Sequence, residues 1–206
     1  MTDGRAAMGI APHSGWAAAV VLGTPDANPQ VLLRSRIEMV EPDVPESKQP
    51  YHTVEHLDLE QAAQCLRRYE AGAANMAHAA IRGMAAQLAA RGVTMTTVGV
   101  LDAAGRKGGS LASILASHAL IHAADGEHFR QALAAGAERS GLAVRRVRAR
   151  DLPAQAEEGL RRPSAALRDV VSAFARQVGP PWGADQKLAA LLAWLLLAQD
   201  GNGRRN

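Results

Sequence analysis

Residues Met8–Leu22 read MGIAPHSGWAAAVVL. An apolar run enters a Pro-His-Ser-Gly break and leaves as a second apolar run, the pattern of a strand, a tight turn and a second strand. The spacing predicts strands over Met8–Ala11 and Trp16–Leu22. The Gly, Pro, Asp and Asn of Gly23–Pro29 form a turn cluster, and Gln30–Val40 reads as a third strand. Three strands joined by short turns predict an antiparallel meander. Glu41–Pro50, with prolines 42, 45 and 50, reads as a loop.

Beyond the meander the periodicity turns helical. Asp58-x-x-Gln61 has the form of a capping box opening a long helix over Leu59–Ala90, with Gly72 and Gly83 as points of bending or division. Gly92 ends it, Thr94–Leu101 reads as a fourth strand, and Asp102–Gly109 as a Gly-rich connection. Ser110–Ala124 and Glu127–Ser140 read as helices separated near Asp125-Gly126, and Ala143–Arg148 as a fifth strand. Leu152–Leu160 and Ser164–Val178 read as helices, and a last helix follows the Gly179-Pro180-Pro181 break and runs through Trp194. The two later strands each follow a helix, as right-handed crossovers to parallel neighbours require. The predicted fold is α/β: a mixed five-stranded sheet, three antiparallel strands then two parallel, with helices on both faces. Residues 1–199 are expected as a single domain, with a flexible polar tail over 200–206.

The bulk numbers agree with one globular core. The chain has 206 residues, 48% of them hydrophobic but only 3% aromatic, so close packing on alanine is expected. The net charge of +3 permits an anionic partner without requiring one. Cys65 is the single cysteine, which excludes an internal disulfide. Met1–Arg5 leads into a strand-like run without a cleavage pattern, and Leu188–Ala198 is shorter than the ~20 residues a bilayer needs. A cytoplasmic protein with no membrane partner is expected.

The element order, together with Gly9-Ile10-Ala11-Pro12-His13-Ser14-Gly15 and Asp185-Gln186-Lys187-Leu188-Ala189-Ala190, resembles the ribonuclease H-like superfamily, nearest to its Holliday-junction-resolvase branch. There the first strand typically reads Gly-Ile-Asp-Pro-Gly and the last helix opens on an aspartate before an alanine-rich run. Pro50-Tyr51-His52-x-x-Glu55, Ser117-His118-Ala119-Leu120-Ile121-His122 and Gly179-Pro180-Pro181-Trp182 look like a bacterial family of the same fold. The resemblance implies carboxylates on the first strand, the fourth strand or a nearby helix, and the last helix, holding divalent metals that activate water. Here Asp102 and Asp185 occupy two such places, while the first-strand place holds Ala11, which cannot ligate a metal. Magnesium or manganese is the expected ion, ahead of zinc.

Several clusters of residues carry candidate chemistry. Asp185 extends the apolar face of Leu188, Leu192 and Leu195 and is expected to point toward the end of the sheet; as a plain first-turn acid it would only stabilise the helix dipole. His13, in the first turn, is a candidate to replace the lost acid or to act as a general base, and Ser14 and Gly15 beside it can present backbone amides to an anion. His118, His122 and Asp125 share one helix face, a spacing that suits a transition metal, with Glu127 and Arg130 close by. Ala119 stands where metalloproteases carry glutamate, and Asp125 also reads as a helix cap. His52 and Glu55 follow the proline-rich loop as a histidine and the acid that orients it, or as helix-entry residues. Arg146 and Arg148 share a strand face that can contact phosphates or simply protect an edge. Trp182 and Lys187 are further substrate-contact candidates, and Lys107 lies in a loop without the phosphate-loop pattern.

The leading expectation is a metal-dependent phosphodiester hydrolase, acting on nucleic acid, with an altered His/Asp/Glu site. In it His13, Asp102 and Asp185 are catalytic, and Asp102, Asp185, His118, His122 and Glu127 hold metal. Ser14, His52, Glu55, Arg130, Arg146, Arg148, Trp182 and Lys187 contact substrate. A homodimer is compatible with this reading. The alternatives are a binding module for nucleic acid or protein that kept the fold without the metal site, and a nucleotide-binding relative of the actin-like folds.

Overall fold

The computed structural model describes residues 4–23, 29–103 and 109–202. Strands β1 (Gly4–His13), β2 (Trp16–Gly23) and β3 (Gln30–Glu38) form the meander. A 3-10 turn (Pro45–Lys48) and the short helix α1 (Pro50–Val54) occupy the stretch expected as loop. The long helix α2 (Leu59–Ala89) leads to β4 (Val93–Asp102); then follow α3 (Leu111–Leu115), α4 (His118–Arg139) and β5 (Ala143–Arg148). Helices α5 (Leu152–Leu160), α6 (Ser164–Ala173), α7 (Ala175–Val178) and α8 (Ala184–Asn202) complete the described chain.

The five strands form one sheet in the order β3-β2-β1-β4-β5. β1, β2 and β3 pair antiparallel, and β1, β4 and β5 run parallel, as the crossovers predict. Strand parity then sorts the side chains. Met8, Ile10, Val98 and Val100 meet α2 and α4 through Ala77, Ile81, Phe129 and Leu133. Ala7, Ala11 and Leu101 face the other way, onto α8, α5 and α6 through Ala189, Leu192, Ala156 and Leu167. Both faces of β1 and β2 are covered, which is why those strands read as continuous apolar runs rather than as alternations.

Small residues make the layers possible. A Cβ on Gly9 would stand 1.9 Å from the Ala189 carbonyl oxygen, so β1 and α8 approach backbone to backbone there. A Cβ on Gly136 would stand 2.7 Å from the His78 nitrogen, at the contact of α2 with α4. The low aromatic content and the alanine-rich helices are the composition of such close contacts.

Four local expectations are corrected. Gly72 and Gly83 do not divide α2, which runs unbroken for 31 residues from its Asp58 cap, whose carboxylate accepts from the Gln61 N–H at 2.9 Å. α4 continues through Asp125-Gly126, and the break falls at Ser117, which is extended at φ −140°. Asp125 does not cap a helix because its carboxylate is taken by α1. The stretch expected as one helix over Ser164–Val178 is two, α6 and α7, meeting at Phe174. α8 extends to Asn202, past Trp194, because the Asp200 carboxylate accepts from the Thr96 and Thr97 hydroxyls at 2.8 and 2.6 Å. The tail expected from residue 200 therefore begins as helix; residues 203–206, most of the Gly23–Pro29 turn, and Lys107 lie outside the described residues.

Candidate functional site

The parallel strands β1, β4 and β5 end on the same edge of the sheet, and the candidate residues gather there in three groups. Which group a residue joins is set by strand parity and by the helix that covers its face.

The first group lies on the α8 face. His13 is two residues beyond Ala11 on β1, so its side chain leaves the sheet on the same face one pleat later. Its Nε2 stands 3.0 Å from Asp185 Oδ2 in the first turn of α8, with both side chains more than a third exposed. The His13 ring stacks on Trp16, centroids 4.3 Å apart and planes within 8°. Arg36 from β3 lies over the same indole, 3.8 Å from its centroid, and pairs with Glu38. The placement of Asp185 is held from β3. Arg34 Nη1 donates to the Gly179 and Pro181 carbonyls at 2.9 and 2.6 Å, and Val31 N–H donates to Gln177 Oε1 at 2.9 Å. The turn that launches α8 is therefore tied to the meander.

The second group lies on the opposite face. Asp102 is buried at the end of β4, and its Oδ1 meets Arg146 Nη2 at 3.2 Å and Arg130 Nε at 3.3 Å. Glu127 joins them, accepting from Arg146 Nη1 and Nη2 at 2.6 and 2.8 Å and from Arg130 Nε at 3.1 Å. This two-pronged contact with Glu127 is the main reason the Arg146 guanidinium is held in its charged form above its ordinary range. Among the described residues, these two acids and two guanidinium groups pair in partial burial. The structure brings Asp102, Glu127, Arg130 and Arg146 together, but not with His13 and Asp185.

The third group joins α1 to the start of α4. His118 and His122, one helical turn apart, face each other with Nε2 atoms 2.9 Å apart. His52 of α1 meets both rings, at centroid distances of 5.2 and 4.4 Å. Behind it, Asp125 accepts from His52 Nδ1 at 2.5 Å and from the Tyr51 N–H at 2.7 Å. The Asp125 side chain is 5% exposed, and its burial pushes its carboxyl up despite the opposing hydrogen bonds from His52 and Tyr51. The sequence offers His52 as a substrate contact and Asp125 as a companion of His118 and His122 or a cap; their pairing crosses 73 positions of sequence and has no local signal.

The remaining candidates stand apart from these groups. Ser14 is exposed in the β1–β2 turn, and Glu55 pairs with His56 at 3.4 Å. Arg148 pairs with Asp151 at 2.5 Å. Trp182 packs edge-on to Phe174 and donates its Nε1–H to the Val171 carbonyl at 2.9 Å, so the structure gives it a packing role. Lys187 lines a largely apolar cleft of about 430 Å³ between α6 and α8.

These placements bear on the metal chemistry that the resemblance implies. A two-ion carboxylate centre needs several acid oxygens converging on one spot. Here Ala11 offers none, Asp102 is turned to the other face against two guanidinium groups, and Asp185 is paired with His13. The strand-end donors do not fit such a centre.

No protein-family model and no curated protein sequence matches the chain. Solved structures do. "T. thermophilus RuvC in complex with Holliday junction substrate" is similar with a TM-score of 0.54 and 14% identity, over 97% of this chain and 96% of that one. "Thermus thermophilus RuvC structure" is similar at the same score and identity, over 96% of each chain. The likeness establishes the fold as ribonuclease H-like, of the kind seen in RuvC, over nearly the whole chain. No described helix is long and apolar enough to cross a membrane.

Proposed function

We propose that this protein is a phosphodiester hydrolase with nucleic acid as its substrate class, working at the edge of the sheet where β1, β4 and β5 end. The observation that carries the reading is the His13–Asp185 contact of 3.0 Å, built by the first strand and the last helix of a RuvC-like fold. The pair stands at the carboxyl end of β1, the edge beyond which ligands bind in open α/β sheets.

The chemistry assigned to these residues is proton transfer. With Asp185 beside Nε2, the imidazole tautomer carrying its proton there is favoured, and Nδ1 keeps a lone pair. A water molecule gives its proton to Nδ1 while its oxygen bonds to phosphorus. The ester P–O bond then breaks, and the leaving oxygen takes a proton from the imidazolium or from solvent. Stacking on Trp16 and contact with Asp185 both stabilise the cationic ring formed in the first step. Arg36, which lies over the same Trp16 ring as His13, is the cation assigned to the phosphate on this face. No step runs through Asp102 or Glu127, which the Arg130 and Arg146 pairs engage.

The test is hydrolysis of four-way-junction, single-stranded and RNA–DNA hybrid substrates in the presence of divalent ions. The wild type is expected to cleave at least one of them, and His13→Ala and Asp185→Ala to lose that cleavage. A second reading, a binding module for nucleic acid or protein, is favoured by Ala11 and by the engaged Asp102. Substrate binding without cleavage by the wild type would decide for it.

A further inference from the structure

The geometry points to a three-imidazole centre for a zinc-type transition-metal ion at His52, His118 and His122, with Asp125 as the carboxylate that positions His52. One ligand nitrogen from each ring lies within 4.8 Å of the others. The rings meet at steep angles of 88°, 61° and 76°, edge to face rather than stacked. Two nitrogens on one tetrahedral zinc, each at about 2.0–2.1 Å, stand roughly 3.3 Å apart. The 2.9 Å between His118 Nε2 and His122 Nε2 is close to that span. Two imidazole nitrogens can face each other so closely only with a proton or a metal ion between them.

The second observation is independent of the first. Asp125 is 5% exposed and receives both the His52 ring at Nδ1 and the Tyr51 N–H. That contact favours the proton on Nδ1 and leaves the Nε2 lone pair for a metal ion. A buried carboxylate fixing the tautomer of one histidine, beside two more at one-turn spacing, is how a metal-binding imidazole is oriented. His118 and His122 are exposed and His52 is half-buried, so a fourth coordination position faces solvent. Three histidines and an open position form the donor set of catalytic zinc, whereas magnesium and calcium take oxygen donors. The ion this protein is built for therefore differs in class from the magnesium or manganese expected from the resemblance.

The inference does not depend on the hydrolase reading, and its test needs no substrate. Full-length protein treated with chelator is titrated with Zn²⁺ by calorimetry and with Co²⁺ by visible absorption. One Zn²⁺ per chain and the intense visible bands of low-coordinate Co²⁺ are expected, with no response to Mg²⁺. His118→Ala and His122→Ala replace exposed side chains and should abolish the one-to-one isotherm while the circular dichroism spectrum stays unchanged. Asp125→Asn should keep the stoichiometry and weaken Zn²⁺ about 10–100-fold. His13→Ala should bind Zn²⁺ as the wild type does, which separates this centre from the His13–Asp185 pair. The inference is overturned by wild-type protein that binds neither ion, by a preference for Mg²⁺, or by undiminished Zn²⁺ binding in a folded His118→Ala/His122→Ala double variant.

Discussion

Ala11 and Asp102 lie near the ends of neighbouring parallel strands and face opposite sides of the sheet. Pairing of Ile10 with Val100 sets the register, so the next residues, Ala11 and Leu101, both face α8, and Asp102 turns to α4. The carboxylates that the resemblance implies therefore do not converge here: Ala11 offers no oxygen, and Asp102 faces α4 against Arg130 and Arg146. What stands on the α8 face instead is His13, one pleat beyond Ala11, against Asp185.

The His13–Asp185 pair is expected to govern rate rather than stability. Both side chains are well exposed, so removing either should leave the melting temperature near that of the wild type. Loss of a general base lowers turnover by about 10²–10⁴-fold. Steady-state cleavage by His13→Ala and Asp185→Asn, measured beside their melting curves, checks this; a large melting shift with unchanged cleavage would reverse the assignment.

Asp102 is expected to behave in the opposite way. Removing it leaves Arg130 and Arg146 partly buried without one of the carboxylates that pair them, Glu127 being the other such acid among the described residues. Breaking one partner of such a set costs about 3 kcal/mol. Urea denaturation of Asp102→Ala should show that loss, while the zinc isotherm is unchanged. A variant as stable as the wild type would show that the guanidinium groups find other partners.

Gly9 should tolerate no side chain. A Cβ there would lie 1.9 Å from the Ala189 carbonyl oxygen, and backbone cannot rotate aside as a flexible side chain can. Overpacking at such a contact is worth about 1–3 kcal/mol or more. Gly9→Ala is expected to lower the denaturation midpoint sharply, and Gly83→Ala, which meets nothing within 4 Å, to leave it unchanged or raise it slightly.

His128 should make the fold acid-sensitive. It is 5% exposed, its Nε2 has no hydrogen-bond partner among the described residues, and burial lowers its pKa to about 4. Above the ordinary histidine value of about 6.5 the ring is neutral in both folded and unfolded chains, and it contributes no pH dependence. As the pH falls from there toward 4, the unfolded chain takes up a proton that the folded one refuses, and about 3 kcal/mol of stability is lost. Denaturation at pH 7.5 and 4.5 should show a smaller difference for His128→Gln than for the wild type. Equal differences would place the acid sensitivity elsewhere.

Much of the architecture was legible because it is written in local periodicity. Apolar runs broken by Pro-His-Ser-Gly, and helices between the later strands, are enough to specify a meander followed by two crossovers, and the sheet order agrees. Helix ends were less legible. The Asp125-Gly126 pair has the composition of a break, yet α4 passes through it because Asp125 finds its hydrogen bonds on α1 rather than on its own backbone.

The sequence by itself determined the element order, the missing acid at Ala11, and the one-turn spacing of His118 and His122. Tertiary structure alone decided which of these residues meet. Strand parity sent Asp102 away from Asp185, the β3 clamp on Gly179 and Pro181 helped bring Asp185 to His13, and the packing of α1 on α4 carried His52 to the paired histidines. Periodicity acts over a few residues and marks the face a side chain takes. A functional contact depends on which other face is folded against it, and that is set by packing across the whole chain.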